Sequence, residues 1–170
     1  QKIDLIIFAT STPERAFPSS ACLLQQQLGI DHCIAFDVAA ACSGFVYALQ
    51  IADTYIKNNM AKTALVIGSE ALSTLVDWKD RSTCILFGDG AGALLLTQSD
   101  HPGVLSTHLY SESKYSDLLY VTNDHPQTIK MQGSSVFKVA VSKLAETINQ
   151  TLAHHELSIA DLDWLVPHQA

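Results

Sequence analysis

A chain of 170 residues with 48% hydrophobic and 16% charged residues has the composition of a folded globular domain, not of a disordered one. A net charge of −7, with no basic run and no basic stripe interleaved with aromatics, argues against a general nucleic-acid binder. The longest apolar runs, such as Ala64–Ile67 and Ala91–Leu96, are strand-sized and far short of a membrane span.

Ile3–Ala9 is a buried-strand run, followed by a polar loop to Ala16 with Pro13 as a breaker. Ala21–Leu28 reads as a helix, with Ser19 or Ser20 as its N-cap and Gly29 just past its end. Ile34–Val38 is a second strand. Three alanines then precede Cys42, and a helical pattern of Phe45, Val46, Leu49, Ile51, Ala52, Tyr55 and Ile56 starts directly after Ser43-Gly44. A cysteine at a strand-to-helix turn sits where free N–H groups and the helix dipole favour an anion, so a lowered thiol pKa is expected. The competing reading is an inert structural cysteine.

Thr63–Ser69 is a further strand and Thr74–Thr83 a polar loop. Cys84–Phe87 and Ala93–Thr97 read as two strand segments around a bend at Gly88–Gly92. The glycines there are spaced GxGxG with no helix after them, so a phosphate-binding loop is set aside. Gly103–Tyr110 and Leu118–Val121 are candidate strands, separated by a loop, and Asn123–Gln127 is a turn. Ser134 is placed as the cap of an amphipathic helix carrying Phe137, Val141, Leu144, Ile148 and Leu152 on one face. His154-His155 ends it as a solvated cap rather than a ligand pair. Ser158-Ile159-Ala160-Asp161 has the form of a capping box, and Leu162–Val166 is a last strand that delivers His168 at its carboxyl end.

Repeated strand–helix–strand order predicts an α/β fold with a parallel sheet and helices on its faces. Reacting groups in such folds gather at the carboxyl ends of strands, where this reading places both Cys42 and His168. A Cys–His pair permits covalent acyl transfer. The other three cysteines are Cys22, Cys33 and Cys84; no CxxC pair or Cys/His zinc spacing occurs, so reduced thiols in a cytosolic protein are expected.

Four segments carry a resemblance: Ala16-Phe17-Pro18-Ser19, Phe36 through Phe45, Phe87 through Ala93, and Asp163 through Ala170. On these the sequence resembles the β-ketoacyl-acyl-carrier-protein synthase III family of the thiolase superfamily, along essentially its whole length. The resemblance implies a thiolase-like layered αβαβα architecture, incomplete in this chain. Residues 1–112 would then be the remainder of the first thiolase half and residues 113–170 the start of the second. It implies a condensing enzyme that starts type II fatty-acid synthesis. Cys42 matches the nucleophile that takes an acyl group, here an acetyl group, from acyl-CoA. His168 matches the histidine that assists decarboxylation of malonyl-acyl-carrier protein and stabilises the enolate. Phe17, Leu72, Phe87, Leu119, Gly133 and Phe137 match the acyl and pantetheine pocket, Phe17 reaching across a homodimer. Arg81 matches the coenzyme A contact at the adenine end. No cofactor or metal is implied, since acyl-CoA and malonyl-acyl-carrier protein are substrates; the partners implied are the acyl carrier protein and a second copy, with no nucleic acid or membrane.

Ser43 and Ser82 stand where the family is expected to have alanine and glycine. Carrier protein and coenzyme A are acidic, so binding to a chain of net charge −7 requires a local basic face, for which Lys79, Arg81, Lys130 and Lys138 are candidates. The family's second asparagine and glycine-rich loop are expected beyond these residues, in a longer natural polypeptide, and the 170 residues alone are expected to turn over little or not at all. Two alternatives stay open: a relative serving secondary metabolism, and a non-catalytic dimerisation or binding module. A cysteine protease ranks below both.

Overall fold

The computed structural model describes residues 2–101 and 103–169. They form two compact units, Gln1–Leu72 with Gly88–Thr107, and Ser73–Phe87 with His108–Ala170.

In the first unit β1 (Leu5–Ala9), β2 (Ile34–Val38), β3 (Thr63–Ala71) and β4 (Asp89–Thr97) make one sheet in the order β2-β1-β3-β4. β1 runs parallel to both β2 and β3, while β4 returns antiparallel along β3. The chain therefore runs from β1 through α1 (Ser20–Gln27) to β2 on one side, then from β2 through α2 (Gly44–Lys57) back past β1 to β3 on the other. Right-handed crossovers in opposite directions put the two helices on opposite faces. The side chains agree with that. Leu5, Ile7 and Ala9 pack with Ala48 and Ala52 of α2, whereas Ile6 packs with Ala21 of α1 and with Ile67. Being covered on both faces, β1 cannot alternate polar and apolar residues, which is why it reads as a continuous apolar run. Leu5, Ile6 and Ile7 are wholly buried, each stabilising the fold by roughly 1.5–3 kcal/mol.

α1 begins where expected: the Ser19 hydroxyl accepts the Cys22 N–H at 3.2 Å. Gly29, at φ +65, reverses the chain just past its end. α2 lies close to the sheet through small residues. A Cβ on Gly44 would stand 3.3 Å from the Ala9 Cβ, and one on Gly68 would stand 3.2 Å from the Phe45 ring.

Three expectations fail around β4. Cys84–Phe87 is a turn, not a strand, because Asp80 organises the chain locally. Its carboxylate accepts the Ser82 N–H at 2.9 Å and hydroxyl at 2.6 Å, and its carbonyl accepts the Cys84 N–H at 3.0 Å. Gly88–Gly92 is not a bend: β4 is one continuous strand, in which Gly90 pairs with Glu70 and Gly92 with Gly68. The sheet is mixed, not wholly parallel, because β3 continues to Ala71 and offers β4 an antiparallel partner along its whole length.

In the second unit β5 (Leu119–Val121) and β6 (Ile129–Met131) form an antiparallel hairpin that leads into α3 (Gly133–His154). β6 was not legible in the sequence, its three residues being too short to show a period. α3 has Gln132 as its N-cap, without a side-chain bond, so Ser134 lies inside the first turn and does not cap it. Of the expected apolar face, Leu152 is buried while Phe137 is 69% and Val141 52% exposed. The Ser158–Asp161 capping box forms, with the Ser158 N–H donating to the Asp161 carboxylate at 2.8 Å. Gly103–Tyr110 and Leu162–Val166 are not strands. Among the described residues neither is paired to a neighbouring strand, and an unpaired extended segment forms no ladder. No described helix is long and apolar enough to cross a membrane.

Candidate active site

Cys42 lies at a tight junction. β2 ends at Val38, a 3₁₀ turn covers Ala41–Ser43, and α2 starts at Gly44. The Val38 carbonyl accepts the Thr10 N–H at 3.1 Å, tying the end of β2 to the end of β1, and the Ala40 carbonyl accepts the Ser43 N–H at 3.1 Å. Ala41 has φ +44, a left-handed conformation that an L-residue adopts only when its surroundings require it. The outcome is an exposed cysteine at the carboxyl end of a central sheet, the geometry of a strand–nucleophile–helix elbow.

The thiol pKa moves opposite to expectation. Desolvation by the surrounding protein pushes the Cys42 thiol up, and the Glu70 carboxylate adds to the rise; only the cysteine's own backbone N–H pulls it down. The helix-terminus argument fails because desolvation outweighs the pull of the backbone N–H, because Cys42 sits in the 3₁₀ turn before the first residue of α2, and because the Glu70 charge adds to the rise. Glu70 is a residue the sequence did not single out. It ends the apolar run of β3, and its two oxygens accept the Ser11 N–H at 2.8 Å and the Thr12 hydroxyl at 2.7 Å. The Thr12 hydroxyl in turn accepts the Ala71 N–H at 2.8 Å. The ends of β1, β2 and β3 are thus knitted together around the cysteine.

Asp37, one residue before the end of β2, accepts the N–H groups of Ser20 and Ala21 at 2.7 and 2.8 Å. This fixes the start of α1 and the approach of Phe17, which is 85% exposed. Leu72, half-buried, begins a 3₁₀ turn directly after β3.

The second unit brings together three other candidates. Leu119 on β5 pairs with Met131 on β6, and the Met131 side chain reaches within 3.4 Å of where a Cβ on Gly133 would stand. Phe137 follows one turn along α3 and is exposed. Phe87 is half-buried. Arg81 is exposed in the Asp80 turn. Lys130 lies near enough to help hold the Asp80 carboxyl below its usual range, after the larger effect of the Ser82 and Thr83 hydrogen bonds. Arg81 and Lys130 therefore belong to one neighbourhood; Lys79 is next to it in sequence, and Lys138 is exposed on α3. His168 is exposed in the irregular segment after Leu162, and Ala170 of its motif lies outside the described residues. Cys42 belongs to the first unit and His168 to the second.

One further grouping was not foreseen. His154 and His155, expected to be solvated caps, are joined by His108 in a stack of edge-to-face imidazoles.

Comparison with known proteins gives a consistent answer. The family model described as 3-oxoacyl-[acyl-carrier-protein (ACP)] synthase III matches residues 36–113. The beta-ketoacyl-[acyl-carrier-protein] synthase III of Methylococcus capsulatus is 57% identical over 99% of this chain and 55% of its own length. The solved 3-oxoacyl-(acyl carrier protein) synthase III of Pseudomonas aeruginosa superposes with a TM-score of 0.93 at 35% identity, covering 99% of this chain and 54% of its own. That of Aquifex aeolicus does so with a TM-score of 0.87 at 50% identity, covering 92% and 50% respectively. The chain spans about half the length of the curated relatives it matches.

Proposed function

The chain belongs to the 3-oxoacyl-[acyl-carrier-protein] synthase III family, and we propose that it carries the acyl-accepting nucleophile of a condensing enzyme that starts type II fatty-acid synthesis. The observation that carries this reading is the elbow: Cys42 exposed between β2 and α2, with Ala41 held at φ +44 to present it.

In the proposed reaction the Cys42 thiolate attacks the thioester carbonyl of acetyl-CoA. The tetrahedral intermediate collapses, coenzyme A leaves as its thiol, and the acetyl group stays on Cys42 sulfur. Malonyl-acyl-carrier protein then loses CO₂, leaving a thioester enolate whose oxygen takes a hydrogen bond from His168. The enolate carbon attacks the acetyl carbonyl, a carbon–carbon bond forms, and the Cys42 thiolate departs, giving a β-ketoacyl-carrier protein. Because the surrounding protein raises the thiol pKa, Cys42 gives up its proton only as it attacks, and that proton departs on the coenzyme A thiol. Phe17, Leu72, Phe87, Leu119, Gly133 and Phe137 would line the acyl and pantetheine path. Arg81 would hold the adenine end, with Lys130 beside it. No cofactor takes part. The working protein would be a cytoplasmic homodimer with the two thiolase halves meeting near residue 112, and Phe17 would cross to the second subunit. Its 85% exposure suits that role. Identities of 57% and 53% to relatives named beta-ketoacyl-[acyl-carrier-protein] synthase III support a carrier-protein-bound substrate.

Intact-mass spectrometry of the natural protein incubated with acetyl-CoA tests the reading. One acetyl adduct, absent from Cys42→Ala, is expected. His168→Ala should keep the adduct and lose condensation by about 10²–10⁴-fold. No adduct with any of several acyl-CoAs would overturn the proposal.

A further inference from the structure

Outside the proposed active site, the second unit gathers three imidazoles from two separate stretches of chain. His154 closes the last turn of α3, His155 is its C-cap, and His108 comes from the segment before β5. The His108 and His154 ring centroids are 5.2 Å apart, and those of His154 and His155 are 4.9 Å apart, both pairs edge to face. Each ring offers one nitrogen, and the three nitrogens lie within 4.8 Å of one another.

We propose that His108, His154 and His155 form a binding site for a divalent transition-metal ion of the zinc class, independent of the acyl-transfer chemistry. Three features carry it. Neutral imidazole is a preferred ligand for zinc, nickel and copper, and three histidines with water in a fourth position is an established zinc coordination. Zinc–nitrogen bonds of about 2.0–2.1 Å set tetrahedral ligand atoms roughly 3.3 Å apart, so side-chain rotations of the order of an ångström in reach close the present spacing without moving the backbone. The helix end is also firmly built: the His155 N–H bonds the Leu152 carbonyl at 3.1 Å, and the Leu157 N–H bonds the same carbonyl at 2.9 Å. Two of the three ligands are thereby held in place, at the end of a helix whose dipole favours a cation. A bound ion would clamp the His108 segment to the C-terminus of α3.

The test uses the natural full-length protein, with its cysteines alkylated so that thiols do not compete. Isothermal titration with Zn²⁺ alone should show one site. His108→Gln and the paired His154→Gln/His155→Gln variant should each weaken it at least about tenfold, while His32→Gln leaves it unchanged. Circular dichroism establishes that the variants fold. A second measurement needs no variant: diethyl pyrocarbonate labelling with and without Zn²⁺, mapped by mass spectrometry, should show protection confined to the three histidines. Zn²⁺ affinity unchanged in both variants, or protection centred on other histidines, would overturn the proposal.

Discussion

The Asp37 carboxylate accepts the backbone N–H of Ser20 at 2.7 Å, so a side chain on β2 serves as the anion at the start of α1. Its other oxygen takes the Ala21 N–H at 2.8 Å, and two of the helix's unsatisfied donors are met at once. Because Asp37 is on the strand that leads to Cys42, the loop that carries Phe17 and the turn that carries Cys42 share one anchor. Asp37→Ala should cost about 1–3 kcal/mol in urea unfolding, and Asp37→Asn, which keeps one acceptor, should cost less. Equal losses in the two variants would mean that the carboxylate's contribution is not its hydrogen bonding.

Glu70 opposes ionisation of Cys42. Removing its charge should therefore lower the thiol pKa and raise the thiolate fraction at neutral pH. Glu70→Gln retains an acceptor for Ser11 or Thr12, so the loop after β1 stays in place. The expected outcome is faster iodoacetamide alkylation of Cys42 near neutral pH, with the whole pH–rate curve displaced toward acid. A curve that does not move would show that the Glu70 charge has no part in setting the thiol pKa.

How far the sequence foretold this arrangement depends on how local each signal is. The Cys42 elbow was legible because the period switches from strand to helix across a few small residues, and the Ser158–Asp161 box because its partners are three positions apart. Cys84–Phe87 looks like a strand in one dimension, and only the hydrogen bonds of Asp80 turn it aside. The Cys42 thiol shifts up first because the folded protein desolvates it and then because Glu70 comes in from another strand, and neither is written in the segment around the cysteine. His108 belongs to the same class: its meeting with His154 is a property of the folded unit and not of any motif. Leu162–Val166 has a strand's composition, yet a strand exists only where a neighbour supplies its hydrogen bonds.

Glu112 accepts from both Lys143 and Lys114, and Lys143 also reaches Glu146. The hydrogen bonds from Lys143 and then Lys114 hold the Glu112 carboxyl below its usual range, and the same pairing pushes Lys143 up. A depressed carboxyl stabilises the fold above its unfolded value of about 4.3 and loses that contribution as pH falls through the folded value. A raised lysine contributes below its unfolded value and loses it as pH rises through the folded one. Glu112→Gln should thus lower Tm slightly at neutral pH, with the difference from the parent closing below about pH 4 and shrinking in roughly 1 M salt. A Tm difference that survives both acid and salt would assign the effect to packing.

The elbow itself rests on how closely α2 approaches β1. A methyl group on Gly44 would meet the Ala9 Cβ at 3.3 Å and the Val38 carbonyl at 3.8 Å. Ala9 is buried in the central strand, so its Cβ can give way only if the strand moves. Gly44→Ala should push the first turn of α2 outward by a few tenths of an ångström and destabilise the protein by about 1–3 kcal/mol. Cys42 is two residues away, so the proposed acetyl-adduct formation should slow as well. Ala41→Gly makes the converse test at the φ +44 position. It relieves about 1–2 kcal/mol of left-handed strain but adds roughly 0.5–1 kcal/mol of unfolded-chain entropy. The net change in stability should be no more than about 1.5 kcal/mol in favour of the variant. The acylation rate decides what the strain is for: slower acylation in an equally or more stable Ala41→Gly protein means that the left-handed alanine aims the thiol. Parent-like stability and acylation in Gly44→Ala would instead show that the turn holds its shape without that contact.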